Sequence, residues 1–312
     1  MSIFLSRNTL SSLPDYIRCP QYNNNDLKPG IIHIGYGNFH RAHQSIYMDD
    51  LFNKKIDLDW GIVGSGVRSY DSKIRENLKK QDYLSTVVEL EPGANKVRVT
   101  NSLIDFLPVE KGNESLLSAL SNSWSRIVSL TITEGGYFID PATGKFDPKF
   151  SEMIINKKNI NLPISVFSAI VLALKQRRKG KIPPFTIMSC DNLPGNGDIT
   201  KEVVVGTANM IDPDLAKWIQ EEVAFPNGMV DRITPATTDR ERENLLKNFS
   251  IEDKCPVFCE PFRQWVLEDH FTMGRPALEE VGVIFTDNVS AFELMKIRIL
   301  NGGHATIAYP AA

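Results

Sequence analysis

Four residues near the end of the chain have the types and spacing to move a proton and hold a developing oxyanion. They are Glu293, Lys296, Asn301 and His304. At about 100° per residue, a helix places all four within one arc of roughly 140°. The positions around them are mostly Phe, Leu, Met, Ile and Ala, so the helix is expected to be buried. A lysine amine facing such an interior is desolvated. Desolvation disfavours the charged form and lowers the pKa, which suits a general base near neutral pH. Asn301 can donate an amide N–H to an alkoxide, and His304 can hold either the substrate or the lysine. Gly302 and Gly303 cost helix propensity but let a ligand or a second helix come close. The same spacing also fits a buried structural cluster in which Lys296 pairs with Glu293, and spacing alone does not choose between the two.

A second group lies near the start. Gly35-Tyr36-Gly37-Asn38-Phe39-His40 supplies the first two glycines of a dinucleotide-binding turn, one for the tight turn and one for close approach of a pyrophosphate. His40 stands where the third glycine belongs, so the motif alone is weak. Its context strengthens it, with a strand pattern before and a helix pattern after. An acid for the adenosine ribose is expected about 20 residues on. Asp57 and Asp59 fall there, but they precede the second strand. Asp71 lies beyond that strand and is the better-placed carboxylate, one that favours NAD by repelling a 2′-phosphate. Arg68 argues the other way, and Asp71 also reads as an ordinary solvated loop acid.

These groups need elements to position them. Residues 1–29 read as an irregular arm. Ile31 to Ile34 is a near-continuous apolar run suited to a central parallel strand. Phe39, Ala42, Ile46 and Phe52 fall at helical spacing, which predicts a helix to Lys54. Trp60 to Val63, Arg126 to Thr133 and Phe185 to Cys190 read as further strands, with a helix from Ile164 to Arg178 between the last two. Tyr83 to Leu90 and Lys96 to Thr100 flank Glu91-Pro92-Gly93-Ala94-Asn95, a hairpin that adds an antiparallel piece to the sheet. Strands alternating with helices predict an α/β fold, a Rossmann-like doubly wound sheet. Val289 to Tyr309 reads as one apolar helix. The expected division is a dinucleotide-binding unit over 1–285 and the start of a helical catalytic unit over 286–312.

Composition excludes several classes. With 35 basic and 38 acidic residues the net charge is -3, against a general nucleic-acid or anionic-membrane binder. The basic run from Lys175 to Lys181 reads as a helix C-terminal cap. Four scattered cysteines make no disulfide framework and suit a reducing compartment. No apolar stretch spans a bilayer and no secretory signal opens the chain, so a cytoplasmic protein is expected. None of the eight tyrosines has lysine four residues on, against a short-chain dehydrogenase. His40 and His43, or Cys255 and Cys259, lack the further ligands that zinc requires.

Five ordered segments carry a resemblance. They are Gly35-x-Gly37-x-Phe39-x-Arg41-Ala42-His43, Thr131-Ile132-Thr133-Glu134-Gly135-Gly136-Tyr137, Ser189-Cys190-Asp191-Asn192-Leu193-Pro194-x-Asn196-Gly197, Phe225-Pro226-Asn227-x-Met229-Val230-Asp231-Arg232-Ile233-x-Pro235, and Lys296-x4-Asn301-x2-His304. Together the chain resembles the polyol-specific long-chain dehydrogenases, the mannitol dehydrogenase family. The resemblance implies NAD-dependent oxidation of a polyol to a ketose, D-mannitol to D-fructose first among the candidates, with no metal. It implies that Lys296 takes the hydroxyl proton, that Asn192 and Asn301 stabilise the alkoxide, and that His304 orients the substrate and the lysine. It gives Asp231 the substrate hydroxyls and Glu293 the exchange of protons with water. The cofactor set is Ile34, Gly35, Gly37, Asn38, Phe39, His40, Arg41 and Asp71. Hexuronate reductases and arabinitol dehydrogenases share the motifs, and a nucleotide-binding remnant without turnover is a further alternative. The expected partners are a small polyol or ketose only, and because the family includes monomers, a monomer is expected. Members continue into a mostly helical C-terminal domain, so the resemblance implies that the last helix opens an all-α domain mostly absent from this chain.

Overall fold

The computed structural model describes residues 2–66, 70–110, 112–140, 143, 145–156, 158–159 and 161–301. The chain opens with a short strand, β1 (Ile3–Phe4), and a series of turns before β2 (Pro29–Ile34). Helices α1 (Asn38–Ala42) and α2 (Gln44–Asn53) follow, then β3 (Gly61–Ser65) and α3 (Asp71–Lys80). A hairpin of β4 (Ser85–Glu89) and β5 (Lys96–Thr100) leads to β6 (Leu103–Phe106), α4 (Glu114–Ser121) and β7 (Ile127–Leu130). Helices α5 (Ser151–Ile154) and α6 (Val166–Lys179) precede β8 (Thr186–Ser189). Next come α7 (Asn196–Ile211), α8 (Pro213–Glu222), β9 (Gly228–Asp231) and α9 (Asp239–Phe249). The last described stretch holds β10 (Ile251–Glu252), β11 (Val257–Cys259), β12 (Gln264–Leu267), β13 (Ile284–Phe285) and α10 (Val289–Met295). A π-helical turn, Lys296–Asn301, continues α10.

Five parallel strands form the central sheet in the order β6-β3-β2-β7-β8. The chain winds outward from β2 through β3 to β6, then returns to the other side of β2 with β7 and β8. This is the doubly wound order, with its switch point between β2 and β7, where ligands bind in such sheets. Every β2 residue after Pro29 is buried, because helices cover both faces. One core packs α4, α6, α7 and α8 on one face, and a second packs α2 on the other. In β2 the polar exception is His33. Its two ring nitrogens reach Ser129 Oγ and Thr131 Oγ1, both at 2.8 Å, so the imidazole stitches β2 to β7. Ser165 forms a capping box at the start of α6, and Arg177, Arg178 and Lys179 fill its last turn.

Several expectations need correction. The helix read through to Lys54 breaks at His43, whose backbone leaves the helical region (φ -124°, ψ -88°). The buried His43 ring bonds the Gln264 carbonyl of β12 at 2.8 Å, and that tertiary contact overrides helix continuity. The β4–β5 hairpin does not extend the central sheet. Its β4 pairs in parallel with β11, forming a separate three-stranded sheet β11-β4-β5. The arm over 1–29 is irregular but anchored: β1 pairs with β10, and Leu5, Leu13 and Ile17 are buried in a third cluster. In the basic run, Arg177 is fully buried and donates to the carbonyls of Leu120, Asn122, Ser125 and Pro183. The apolar α10 is not enclosed among the described residues. It leans on β9 and β12 through Val289 and Phe292, while Leu294, Met295 and Ile297 are exposed. Among the described residues no helix is long and apolar enough to cross a membrane.

Candidate active site

A cavity of about 850 Å³ opens beyond the C-terminal ends of the parallel strands. Its wall on the β2 side is the glycine turn. Gly35 takes a left-handed φ of +92°, and a Cβ there would meet the Thr131 carbonyl oxygen at 2.1 Å. No other residue type fits. At Gly37 an added Cβ would meet only the Gly35 carbonyl, at 3.6 Å, so the missing side chain leaves room in the cavity. Asn38 and Phe39, the first residues of α1, also line it. Asn38 Nδ2 donates weakly to Thr237 Oγ1 at 3.4 Å, and its Oδ1 accepts from Arg41 Nη2 at 2.7 Å. Asp71 lines the cavity six residues beyond the end of β3 and packs against Gly66.

The far wall carries the lysine. Lys296 is 9% exposed. Its Nζ donates to the Val230 carbonyl at 2.7 Å and to Asn192 Oδ1 at 2.9 Å, and lies 3.4 Å from Asp231 Oδ1. The amine is therefore buried as expected, but among oxygens rather than in the hydrocarbon that the apolar helix implied. β9 supplies two of the three, and the loop after β8 supplies the third. The pairing of Lys296 with Glu293 is replaced: Glu293 Oε1 accepts from the Gly195 N–H at 3.0 Å. Glu293 lines a small side cavity of about 70 Å³ that Asn192 and Lys296 also border. The winding changes at Lys296 itself, from α to π, so 100° spacing does not extend from Glu293 to Asn301. π turns of this kind recur at functional sites.

Of the expected residues, Gly35, Gly37, Asn38, Phe39, Asp71, Asn192, Asp231 and Lys296 share this one cavity. Ile34, His40 and Arg41 do not line it. Ile34 is fully buried in β2. The His40 ring stacks on His33 at 3.5 Å, inside the protein. Arg41 is buried and donates to Asn38 Oδ1, which lines the cavity. These three sit in the right motif, but the turn directs their side chains into the core. Asp57 and Asp59 bind Ala277 N and Arg126, away from the cavity. The Asn301 side chain, His304 and Arg68 lie outside the described residues.

Three wall components were not assigned chemistry from the sequence. The loop from Thr131 to Glu134 lines the cavity, with Thr133 at φ +65° and ψ +159°. Asp191 holds it, accepting from Thr133 N at 2.9 Å, Ile132 N at 3.1 Å and Tyr137 Oη at 2.6 Å. Burial raises the Asp191 carboxyl pKa, and burial next to that carboxylate pushes the Tyr137 phenol well up. Arg232 follows Asp231 and donates to Ala42 O at 2.7 Å, Glu260 O at 2.9 Å and Glu89 Oε1 at 2.6 Å. Asp191 and Arg232 stand inside the motifs quoted above. Nothing local marks them, because their partners are far along the chain.

The mannitol dehydrogenase Rossmann domain is the family whose profile matches, over residues 29–280. Mannitol 2-dehydrogenase of Cereibacter sphaeroides is 56% identical over 293 residues, covering 94% of this chain and 61% of that protein. The polyol:NADP oxidoreductase of Gluconobacter oxydans is 43% identical over 309 residues, covering 98% and 63%. A solved structure of Pseudomonas fluorescens mannitol 2-dehydrogenase, a ternary complex with NAD and D-mannitol, superimposes with a TM-score of 0.91 at 46% identity, covering 97% of this chain and 62% of that one. The chain thus spans about three fifths of the length of these relatives. On the match over most of its length and on the doubly wound sheet behind it, the chain belongs to the mannitol dehydrogenase family.

Proposed function

We propose that this chain carries the dinucleotide site and the proton-handling lysine of an NAD-dependent polyol dehydrogenase that converts D-mannitol to D-fructose. One observation carries the reading: the Lys296 amine and the Gly35–Gly37 turn open on the same cavity. The turn suits a dinucleotide, since its glycines leave backbone where side chains would block a pyrophosphate. NAD, when bound, supplies the hydride acceptor. The rest falls to the chain. Gly35, Gly37, Asn38 and Phe39 hold the pyrophosphate side. Asp71 meets the adenosine ribose and repels a 2′-phosphate.

Lys296 takes the proton of the reacting hydroxyl, and three oxygens then hold the ammonium. Because Asn192 spends its carbonyl on the lysine, its amide N–H₂ is turned to donate to the alkoxide. The family resemblance adds Asn301 as the second amide and His304 as the orienting group. Asp231 accepts from neighbouring polyol hydroxyls and disfavours a sugar-acid carboxylate, which supports a neutral polyol over a hexuronate. Glu293, at the side cavity, passes the proton between the lysine and water. An amine that removes the proton leaves no step that requires a metal. Residues 1–285 then serve as the dinucleotide unit and residues 286–312 as the start of the catalytic one.

A second reading keeps dinucleotide binding and drops turnover. The exposure of Leu294, Met295 and Ile297 on the lysine's helix favours it. One experiment separates the two. The purified chain is mixed with D-mannitol and NAD, or NADP, and the reduced-nicotinamide absorbance is followed beside a Lys296→Ala control. NAD-dependent turnover lost in the control supports the first reading. A melting temperature raised by NAD without turnover supports the second, and no shift with NAD or NADH removes both.

A further inference from the structure

Asp191 and Asn192 are neighbours that serve opposite walls of the cavity. The Asn192 carbonyl oxygen takes an N–H from Lys296. The Asp191 carboxylate takes the N–H groups of Ile132 and Thr133, one on each oxygen. Those two peptides therefore aim their N–H groups at Asp191, which lines the same cavity. Trans geometry sends the Thr131 and Ile132 carbonyls the other way. The closeness of Thr131 O to Gly35 agrees with this for the first of them. Thr133 is held at a positive φ with extended ψ, a region open in practice to glycine alone and rarer still for a β-branched side chain. A conformation of that kind persists only where surrounding bonds over-determine it.

The surrounding bonds are in place. Tyr137, fully buried, donates to Asp191 from behind and lies 2.6 Å from Ser189 Oγ. Asn196 ties the Asp191 carbonyl to the start of β9, donating to Asp191 O at 3.1 Å and to Gly228 O at 2.8 Å. A chain of contacts thus runs from the Thr131–Thr133 loop through Asp191 to both Asn192 and β9, which holds Lys296.

We infer that Asp191 is a positioning residue that sets the dinucleotide-side loop in register with the Asn192–Lys296 pair, by holding Thr133 in its strained conformation. The inference rests on the dinucleotide reading of the cavity. The full chain tests it, with NADH as the probe, affinity read from nicotinamide fluorescence and folding checked by thermal melts. Asp191→Asn puts an N–H₂ against a backbone N–H and releases the loop. It is expected to weaken NADH binding about tenfold, equal to ~1.4 kcal/mol. Adding Thr133→Gly is expected to restore most of that affinity, because glycine takes the conformation unaided. A residue that only stabilised the fold would leave the affinity of the folded fraction alone.

NADH binding by Asp191→Asn at the affinity of the unaltered chain overturns the inference and leaves the dinucleotide reading standing. Lost affinity that Thr133→Gly fails to restore overturns it too. If the unaltered chain binds no NADH, the dinucleotide reading falls and takes the inference with it. Should Asp191→Asn not fold, Tyr137→Phe decides. It removes the buttress and keeps the charge, and affinity is expected to fall about threefold, near half the free energy above. Unchanged affinity in that variant overturns the inference as well.

Discussion

Replacing Arg232 with methionine removes a guanidinium that joins three segments far apart in the sequence, while roughly keeping its volume. The Arg232 side chain is fully buried, and its ion-pair partner Glu89 is 21% exposed. The variant strips Ala42 O at the end of α1, Glu260 O, and the Glu89 carboxylate of their donor at once. Breaking a fully buried pair from one side costs roughly 3–5 kcal/mol. The partial exposure of Glu89 and the cavity beside Arg232 let water repair some of this, so about 3 kcal/mol is expected. For a 312-residue chain, the usual unfolding entropy per residue turns that into a melting temperature lower by about 5 °C. A double-mutant cycle with Glu89→Gln isolates the pair. Each single change strands a charge, so the double variant is expected to be more stable than the sum predicts by roughly 1–3 kcal/mol. Melting scans on the four proteins supply the values. Additivity within about 0.5 kcal/mol, or a loss under about 1 kcal/mol for Arg232→Met, would falsify the claim that this arginine couples β4 to the end of β9.

Two further outcomes follow from the same geometry. Gly35→Ala is expected to cost about 3 kcal/mol or more and to abolish NADH binding, since the new Cβ meets Thr131 O at 2.1 Å and φ is +92°; urea melts check the first and fluorescence titration the second, and wild-type values in both refute it. Burial takes His33 and His43 down to about 3 and His40 well below its ordinary value. The unfolded chain, with ordinary imidazoles near 6.5, then binds protons that the folded chain refuses. Stability that is complete above pH 6.5 is expected to drain away as the pH falls toward 3. His40→Phe removes one such proton, so melting temperature against pH flattens in that window; an unaltered slope refutes the assignment.

Much of the frame was legible in the residues. The apolar run from Ile31 to Ile34 suited a short strand covered on both faces, and β2 is one. The Gly35-x-Gly37 pair between a strand pattern and a helix pattern marked the turn, and Gly35 there takes a left-handed φ of +92°. The helix expected from Ile164 to Arg178 and the strands expected at Arg126–Thr133 and Phe185–Cys190 stand, with shifted bounds, as α6, β7 and β8. Other features were hidden. The break at His43 depends on a carbonyl 221 residues away. The hairpin Ser85–Thr100 lies outside the central sheet, where β4 pairs with β11, much later in the chain. His40 and Arg41 stand in the nucleotide motif, yet the turn's path aims their side chains at the core.

Residue types and spacing marked where chemistry was possible: two glycines at a strand end, and a lysine in an apolar helix. Backbone freedom and burial pattern are local properties, carried by neighbouring residues. The folded arrangement brings Lys296 to Val230 and Asn192, 66 and 104 positions away, rather than to Glu293 on its own helix. Such pairings depend on strand order and register, which the whole chain sets by burying its cores together.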